Sequence, residues 1–237
     1  MRLGTLDVTD IYVITVQAMV NSLGQPPIQN TVDLSTSSPT PWNGNLTAND
    51  RAVAALNMSS DPGVRSLPRT GFAPNQVTVL PQQPAELAYT ELGDVWLEIP
   101  SLGVKTSIVG VPRSAGAWDV DWLWEQAGWL QGTAFPTWQG NSVVTGHVYL
   151  PSGKPGPFVG LNKLRWGNQI IVHVFGERYI YEVQTNQVVF PNDLSILKHE
   201  DHSWLTLITC RSYNAVEDVY RYRVAVRAIL AKVEKDR

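Results

Sequence analysis

The chain has 237 residues, a length that at ~150 residues per domain allows one or two domains. Hydrophobic residues make up 43% and charged residues 16%, enough apolar material for a core, so wholesale disorder is excluded. A formal charge of -3 offers no basic surplus for nucleic acid, and a single cysteine excludes an intrachain disulfide and any multi-cysteine zinc site. No apolar run reaches the ~18 residues of a membrane span, and no signal peptide opens the chain.

The chain changes character near residue 90. Ahead of it, residues 11–20 are β-branched and largely apolar, and residues 30–35 alternate with period two; both read as strands. Residues 49–58 fit a short strand or a helical turn. Two or three strands in about sixty residues make a thin core, so residues 1–58 read as part of a β-sandwich. Residues 59–91 read as a linker, because Pro62, Pro68, Pro74, Pro81 and Pro84 prevent regular pairing.

From residue 92 to 237 the signals sharpen. Residues 95–99 form a strand stopped by Pro100, with 105–111 returning across Leu102-Gly103. Residues 118–127 have helical spacing, with Gly128 suited to end the helix. Residues 141–145 are a strand leading into Gly146-His147. Residues 158–164 have helix spacing again. Residues 169–175, 179–183 and 187–190 form a meander with a turn at 176–177. Asp193 sits where an N-cap would start a short helix reaching Leu197. Residues 204–209 form a buried strand ending at Cys210, and 220–233 a long alternating one. About eight short strands with short helices in the loops favour an all-β, mostly antiparallel barrel, preceded by a small N-terminal β segment.

Cys210 is the natural place to look for chemistry. A lone cysteine is most often a small buried hydrophobe. This one ends an apolar strand and opens a polar run, Arg211-Ser212-Tyr213-Asn214, a position suited to reaction. A thiolate nucleophile needs a group to lower its pKa or take its proton. His173 lies inside a strand. His199 and His202 lie in a polar stretch and read as solvated, without a third metal ligand nearby. His147 follows a strand and a glycine and precedes a Gly/Pro-rich loop, which presents it at a strand end. Arg221, Arg223 and Arg227 alternate on the last strand, either as a solvated edge or as a source of an anion-stabilising guanidinium.

Thr145-Gly146-His147, then Leu205-Thr206-Leu207-Ile208-Thr209-Cys210, then an arginine on a final strand, resemble the sortase family of cysteine transpeptidases. The resemblance takes in Ile99-Pro100, Ala127-Gly128-Trp129 and Tyr179-Ile180-Tyr181-Glu182-Val183, and spans about residues 93–235. Arg223 fits the family pattern best, because Ala228 stands five residues after it; Arg221 is the second choice. The resemblance implies an eight-stranded β-barrel. It also implies that Cys210 attacks the Thr–Gly carbonyl of a Leu-Pro-any-Thr-Gly sorting signal, with His147 as general acid/base and Arg223 holding the oxyanion or the peptide. Thr209 and Thr145 are expected to help position the substrate. An amine from the cell wall or a pilin-like partner would resolve the thioester at the bacterial cell surface. No cofactor is implied; some relatives use calcium, for which no sufficiently specific acidic cluster stands out.

Leu67-Pro68-Arg69-Thr70-Gly71, in the linker, itself spells a sorting signal, a chance match with a probability well under ~1% in this length. It lacks the apolar span and basic tail that follow an ordinary one. It is expected to dock in the chain's own cleft as a pseudosubstrate or to be a self-processing site. The N-terminal segment loosely resembles immunoglobulin-like repeats of bacterial surface proteins. The membrane anchor usual in sortases is found at neither end, which reads as truncation. Two other readings stay open: an inactive surface stalk or adhesin module carrying a sortase-like barrel, and a papain-like or L,D-transpeptidase-like enzyme, whose local signatures around the cysteine are not matched.

Overall fold

The computed structural model describes residues 65–236 and the backbone of 29–33 and 51–55. The chain divides into two compact units, Met1–Ser60 and Asp61–Arg237. In the first, β1 (Gln29–Asp33) pairs antiparallel with β2 (Arg51–Ala55), so the ambiguous 49–58 segment contains a strand. The expected strand at 11–20, and with it the immunoglobulin-like reading, lies outside the described residues.

The second unit is built of β3 (Thr90–Ile99), β4 (Val104–Val111), β5 (Arg113–Ser114), β6 (Ala117–Trp118), β7 (Ala127–Leu130), β8 (Gly140–Thr145), β9 (Gln169–Val174), β10 (Glu177–Val189), β11 (Ser203–Asn214) and β12 (Val219–Lys235). Eight of these close a barrel in the order β10-β12-β11-β8-β7-β4-β3-β9, with β5 and β6 a separate ribbon. The all-β, eight-stranded, mostly antiparallel barrel read from the sequence is present. Two neighbouring pairs, β4 with β7 and β8 with β11, are parallel. Alternate side chains of the strands fill the interior: Leu97, Val144, Leu205, Leu207, Val224 and Val226 are all buried there. A second apolar cluster, with Val111, Leu123, Val143, Ile208 and Ala225, lies against other strand positions. Both faces of β8 and β11 are therefore covered, which accounts for their nearly continuous apolar sequence.

The expected helices are 3-10 turns. Residues 118–127 form the end of β6, a turn at Asp121–Leu123 and the approach to β7. Trp124 has φ 50°, which an α-helix forbids. Gly128 lies inside β7, where a Cβ would fall 2.6 Å from Val111 Cγ2, so it serves close packing and not a helix cap. Phe158, Leu161 and Leu164 are fully buried at a spacing of three, which the 3-10 turn Leu161–Lys163 satisfies. The 194–197 turn is likewise 3-10, and Asp193 caps it as read, accepting from Ser195 N at 3.1 Å. Among the described residues no helix is long and apolar enough to cross a membrane.

A buried polar staple ties the parallel pair that carries the site. Thr206 Oγ1 donates to Asn141 Oδ1 at 2.7 Å, and Asn141 Nδ2 donates to the carbonyls of Ile196 and Lys198 at 2.8 and 3.1 Å. Asn141→Leu would strand these partners away from water. It is expected to cost about 3 kcal/mol, read from urea unfolding midpoints, and Thr206→Val less.

Candidate active site

The parallel register of β8 on β11 ends at Thr145 opposite Ile208. β11 itself runs on to Asn214, paired only with β12. This corrects the sequence reading: Cys210 does not end its strand but sits within it, just past the point where β8 leaves. The sulfur is thereby placed at a one-sided stretch of strand. Two hydroxyls brace the departure point. Thr145 Oγ1 donates to Ile208 O at 3.0 Å, and Thr209 Oγ1 donates to Gly146 O at 2.8 Å. Both threonines are buried, and both hydroxyls are spent on backbone.

Arg223 lies directly across from Cys210 in the β11–β12 ladder. Opposed residues of an antiparallel pair have Cβ atoms ~5 Å apart on one face, so guanidinium and thiol are neighbours. Arg223 is 4% exposed, which rules out the solvated-edge reading for this arginine. Arg221 does fit that reading: it is exposed and pairs with Glu217 at 3.3 Å. Arg227 pairs with Glu200 and lies over the Trp204 ring at 4.4 Å.

His147 is fully buried, and neither ring nitrogen makes a hydrogen bond. The loop after it folds back on its backbone: Phe158 N donates to His147 O, and Gly156 N to Val148 O. Gly156 permits this, since a Cβ there would fall 2.3 Å from His147 O. The other histidines lie elsewhere. His173 is stacked on Trp96 with its ring nitrogens near Asp236 (2.6 Å) and Glu98 (3.3 Å), while His199 and His202 are exposed.

Residues 67–78 run across all three side chains as a strap. Leu67 N donates to Pro191 O at 2.7 Å. Arg223 Nε donates to Pro68 O at 2.9 Å, and Thr70 N donates to Cys210 Sγ at 3.2 Å. Val148 N donates to Thr70 O at 2.9 Å. The Phe72 ring lies 5.1 Å from that of His147. Tyr220 Oη donates to Phe72 O, and the amides of Phe72, Asn75 and Thr78 donate to the carbonyls of Tyr149, Gly153 and Pro151. Thus Thr70 bridges the sulfur of Cys210 and the residue after His147, while Pro68 occupies Arg223. Arg69 points outward and, with Gly71 and Phe72, lines a groove of about 590 Å³ whose far wall includes Trp118 and Asp121. Most of this seat is backbone, and only the five-residue string at 67–71 announces it in the sequence.

Burial mutes the chemistry. Cys210 is 1% exposed, and desolvation pushes its thiol up, opposed by the charge of Arg223 and by Thr70. Burial lowers Arg223 as well, opposed by Cys210. Desolvation takes His147 from 6.5 to about 4, opposed by the nearby backbone of Asp121, Thr70 and Val120.

A family profile described as the Sortase domain matches residues 97–231. The chain belongs to the sortase family. Solved structures similar to this sortase include sortase C-1 of Actinomyces oris, at 29% identity over 58% of this chain and 73% of that one, with a TM-score of 0.49. Sortase C of Clostridium perfringens SM101 is 28% identical over 60% of this chain and 73% of its own, with a TM-score of 0.47. Sortase A of Corynebacterium diphtheriae is 27% identical over 59% and 61%, at 0.48. No curated protein matches the sequence.

The depressed His147 makes stability pH-dependent. The unfolded chain binds this proton below 6.5 and the folded one only near 4, so the contribution is complete above pH 6.5 and lost as pH falls toward 4. Urea titrations across that window should show the wild type losing up to roughly 3 kcal/mol relative to His147→Gln, with no further divergence at higher pH.

Proposed function

We propose that this sortase cleaves a Leu-Pro-any-Thr-Gly signal between threonine and glycine and transfers the acyl group to an amine. Its own residues 67–71 serve as a pseudosubstrate in the same groove. The observation that carries the reading is the chain's own sorting-signal string lying over the cysteine, with Thr70 N on Cys210 Sγ and Pro68 O on Arg223.

Cys210 Sγ attacks the threonine carbonyl carbon, and the C–S bond forms as the C–N bond to glycine breaks. His147 takes the thiol proton and passes it to the leaving amine, and later takes a proton from the incoming amine and returns it to the sulfur. Arg223 grips the carbonyl of the proline, two residues before the scissile bond, which favours a peptide-positioning role over contact with the oxyanion. Thr145 and Thr209 act on the substrate through the backbone they brace. The groove also supports glycine after the scissile bond. At Gly71 a Cβ would fall 2.6 Å from Val148 Cγ1 and 2.9 Å from the Tyr220 ring. The acceptor amine belongs to the cell wall or to a pilin-like partner at the bacterial surface, where the family acts.

Mass spectrometry of a Leu-Pro-Arg-Thr-Gly peptide incubated with a panel of amines tests this. The wild type is expected to yield a product joined after threonine, and Cys210→Ala none. His147→Ala should lower turnover by ~10²- to 10⁴-fold. Arg223→Gln should lower kcat/KM by roughly 10- to 100-fold. Absence of any threonine-linked product across the panel, from a protein freed of its strap, would leave an inactive barrel as the better reading.

Gly71→Ala cannot be seated without displacing Val148 or Tyr220, so it should release the strap while leaving the barrel untouched. Turnover of added peptide and alkylation of Cys210 should both rise at least about tenfold. Unchanged alkylation would mean that the strap does not shield the thiol.

A further inference from the structure

The strap is held on both sides of the Thr70–Gly71 bond. Upstream, Leu67 N and Pro68 O are fixed to Pro191 and Arg223. Downstream, Phe72, Asn75 and Thr78 are fixed to Tyr149, Tyr220, Gly153 and Pro151, and the chain then runs covalently into β3. An external peptide loses its glycine half once the acyl-enzyme forms. Here the glycine half has nowhere to go.

We propose that residues 67–71 are a true substrate whose leaving group is retained, and that severing the chain between the strap and β3 converts the inhibitor into cargo. This rests on the transpeptidase reading above. In the intact chain, His147 takes the thiol proton as Cys210 attacks Thr70 and passes it to the Gly71 amine as the thioester forms and the Thr70–Gly71 bond breaks. That amine stays in the groove at the high effective concentration of a tethered group. It attacks the thioester, returns its proton to His147 and restores both the peptide and the thiol. No product accumulates, and the groove stays closed. Once the chain is cut downstream, the piece beginning at Gly71 can dissociate. An acceptor amine then attacks the thioester, gives its proton to His147, and carries away everything ahead of Gly71, with Cys210 regenerated.

Two further observations point the same way. The Thr70 hydroxyl is buried with no nitrogen or oxygen partner, and what it has beside it is the Cys210 sulfur. A segment that served only to plug the groove would sit better with valine at this position, whereas a cleavable signal is threonine there. The stretch that would have to be cut is open to solvent: Val79 is 88% exposed, and Pro81, Gln82, Ala85 and Glu86 are exposed after it. Exposed irregular chain of this kind is where proteolytic nicking concentrates.

The test uses the full chain with a site-specific protease sequence inserted between Gln82 and Gln83, beyond the strap's backbone anchors. Protein is incubated with triglycine before and after cutting, with Cys210→Ala as control, and the products are weighed by mass spectrometry. Cutting is expected to raise formation of the 1–70 fragment joined to triglycine at least tenfold, and Cys210→Ala should form none. Gly153→Ala provides an arm without insertion. Its Cβ would fall 2.5 Å from Gln76 N, loosening the downstream half, and it should transfer 1–70 above the wild-type rate. The proposal is overturned if cut protein turns over added Leu-Pro-Arg-Thr-Gly peptide yet keeps its own Thr70–Gly71 bond. It is equally overturned if the uncut wild type transfers 1–70 as fast as the cut form, or if Gly153→Ala speeds turnover of added peptide without any transfer of 1–70. If cut protein turns over no peptide at all, the transpeptidase reading fails and takes this one with it.

Discussion

The site depends on where β8 parts from β11. Their parallel ladder stops at Thr145 and Ile208, two residues before the cysteine, while β12 stays paired with β11 to its end. One side of β11 therefore holds Arg223 in fixed register with Cys210, and the other side is left without a strand. The bend after Thr145 delivers His147 to that gap, and Thr145 and Thr209 pin the bend from both strands. A ladder two residues longer would bring a neighbouring backbone alongside the sulfur and close the groove. The site is thus a property of an interrupted sheet, with β12 on one side of the cysteine and an extended segment in place of a strand on the other.

The strap fills the gap, and Cys210, His147 and Arg223 beneath it are buried. Thiol, imidazole and guanidinium are all displaced toward their neutral forms by loss of water. A neutral thiol is a poor nucleophile, and an imidazole held near 4 is a poor proton carrier at neutral pH. On the proposed reading, the cover excludes other peptides and makes attack on the strap itself slow. On the same reading, an entering peptide makes these contacts and then departs, so water returns to the groups at each turn of the cycle.

Much of this was legible before the fold was known. Cys210, His147 and Arg223 stand out because few side chains can act as nucleophile, proton carrier and fixed cation, and the string at 67–71 is chemically specific. The misreadings share a cause. Residues 118–127 have helical spacing, yet the buried Trp118, Val120, Leu123 and Ala127 belong to a ribbon, a 3-10 turn and a strand, and Trp124 adopts a positive φ no local pattern signals. Polarity beginning at Arg211 suggests a strand end at Cys210, whereas β12 continues the ladder there whatever the side chains. The downstream half of the strap left no trace in the sequence at all. It is seated by main-chain groups of Tyr149, Pro151 and Gly153, and backbone amides are the same at every residue.

That division of labour also explains how one segment can be both recognised and refused. On the proposed reading, recognition uses the proline carbonyl on Arg223, the threonine amide on the sulfur, and a glycine where Val148 and Tyr220 leave no room. These are the features any sorting signal would offer. Retention uses the sequence-independent amides and carbonyls beyond Phe72, together with the covalent continuation into β3. On this reading the first set brings Thr70 to Cys210, and the second decides whether rupture of its bond to Gly71 has any consequence. Because the second set lies downstream of the first along the strap, the downstream grip can on this reading be lost with the contacts to Arg223 and Cys210 intact, and the same five residues then pass from lock to substrate.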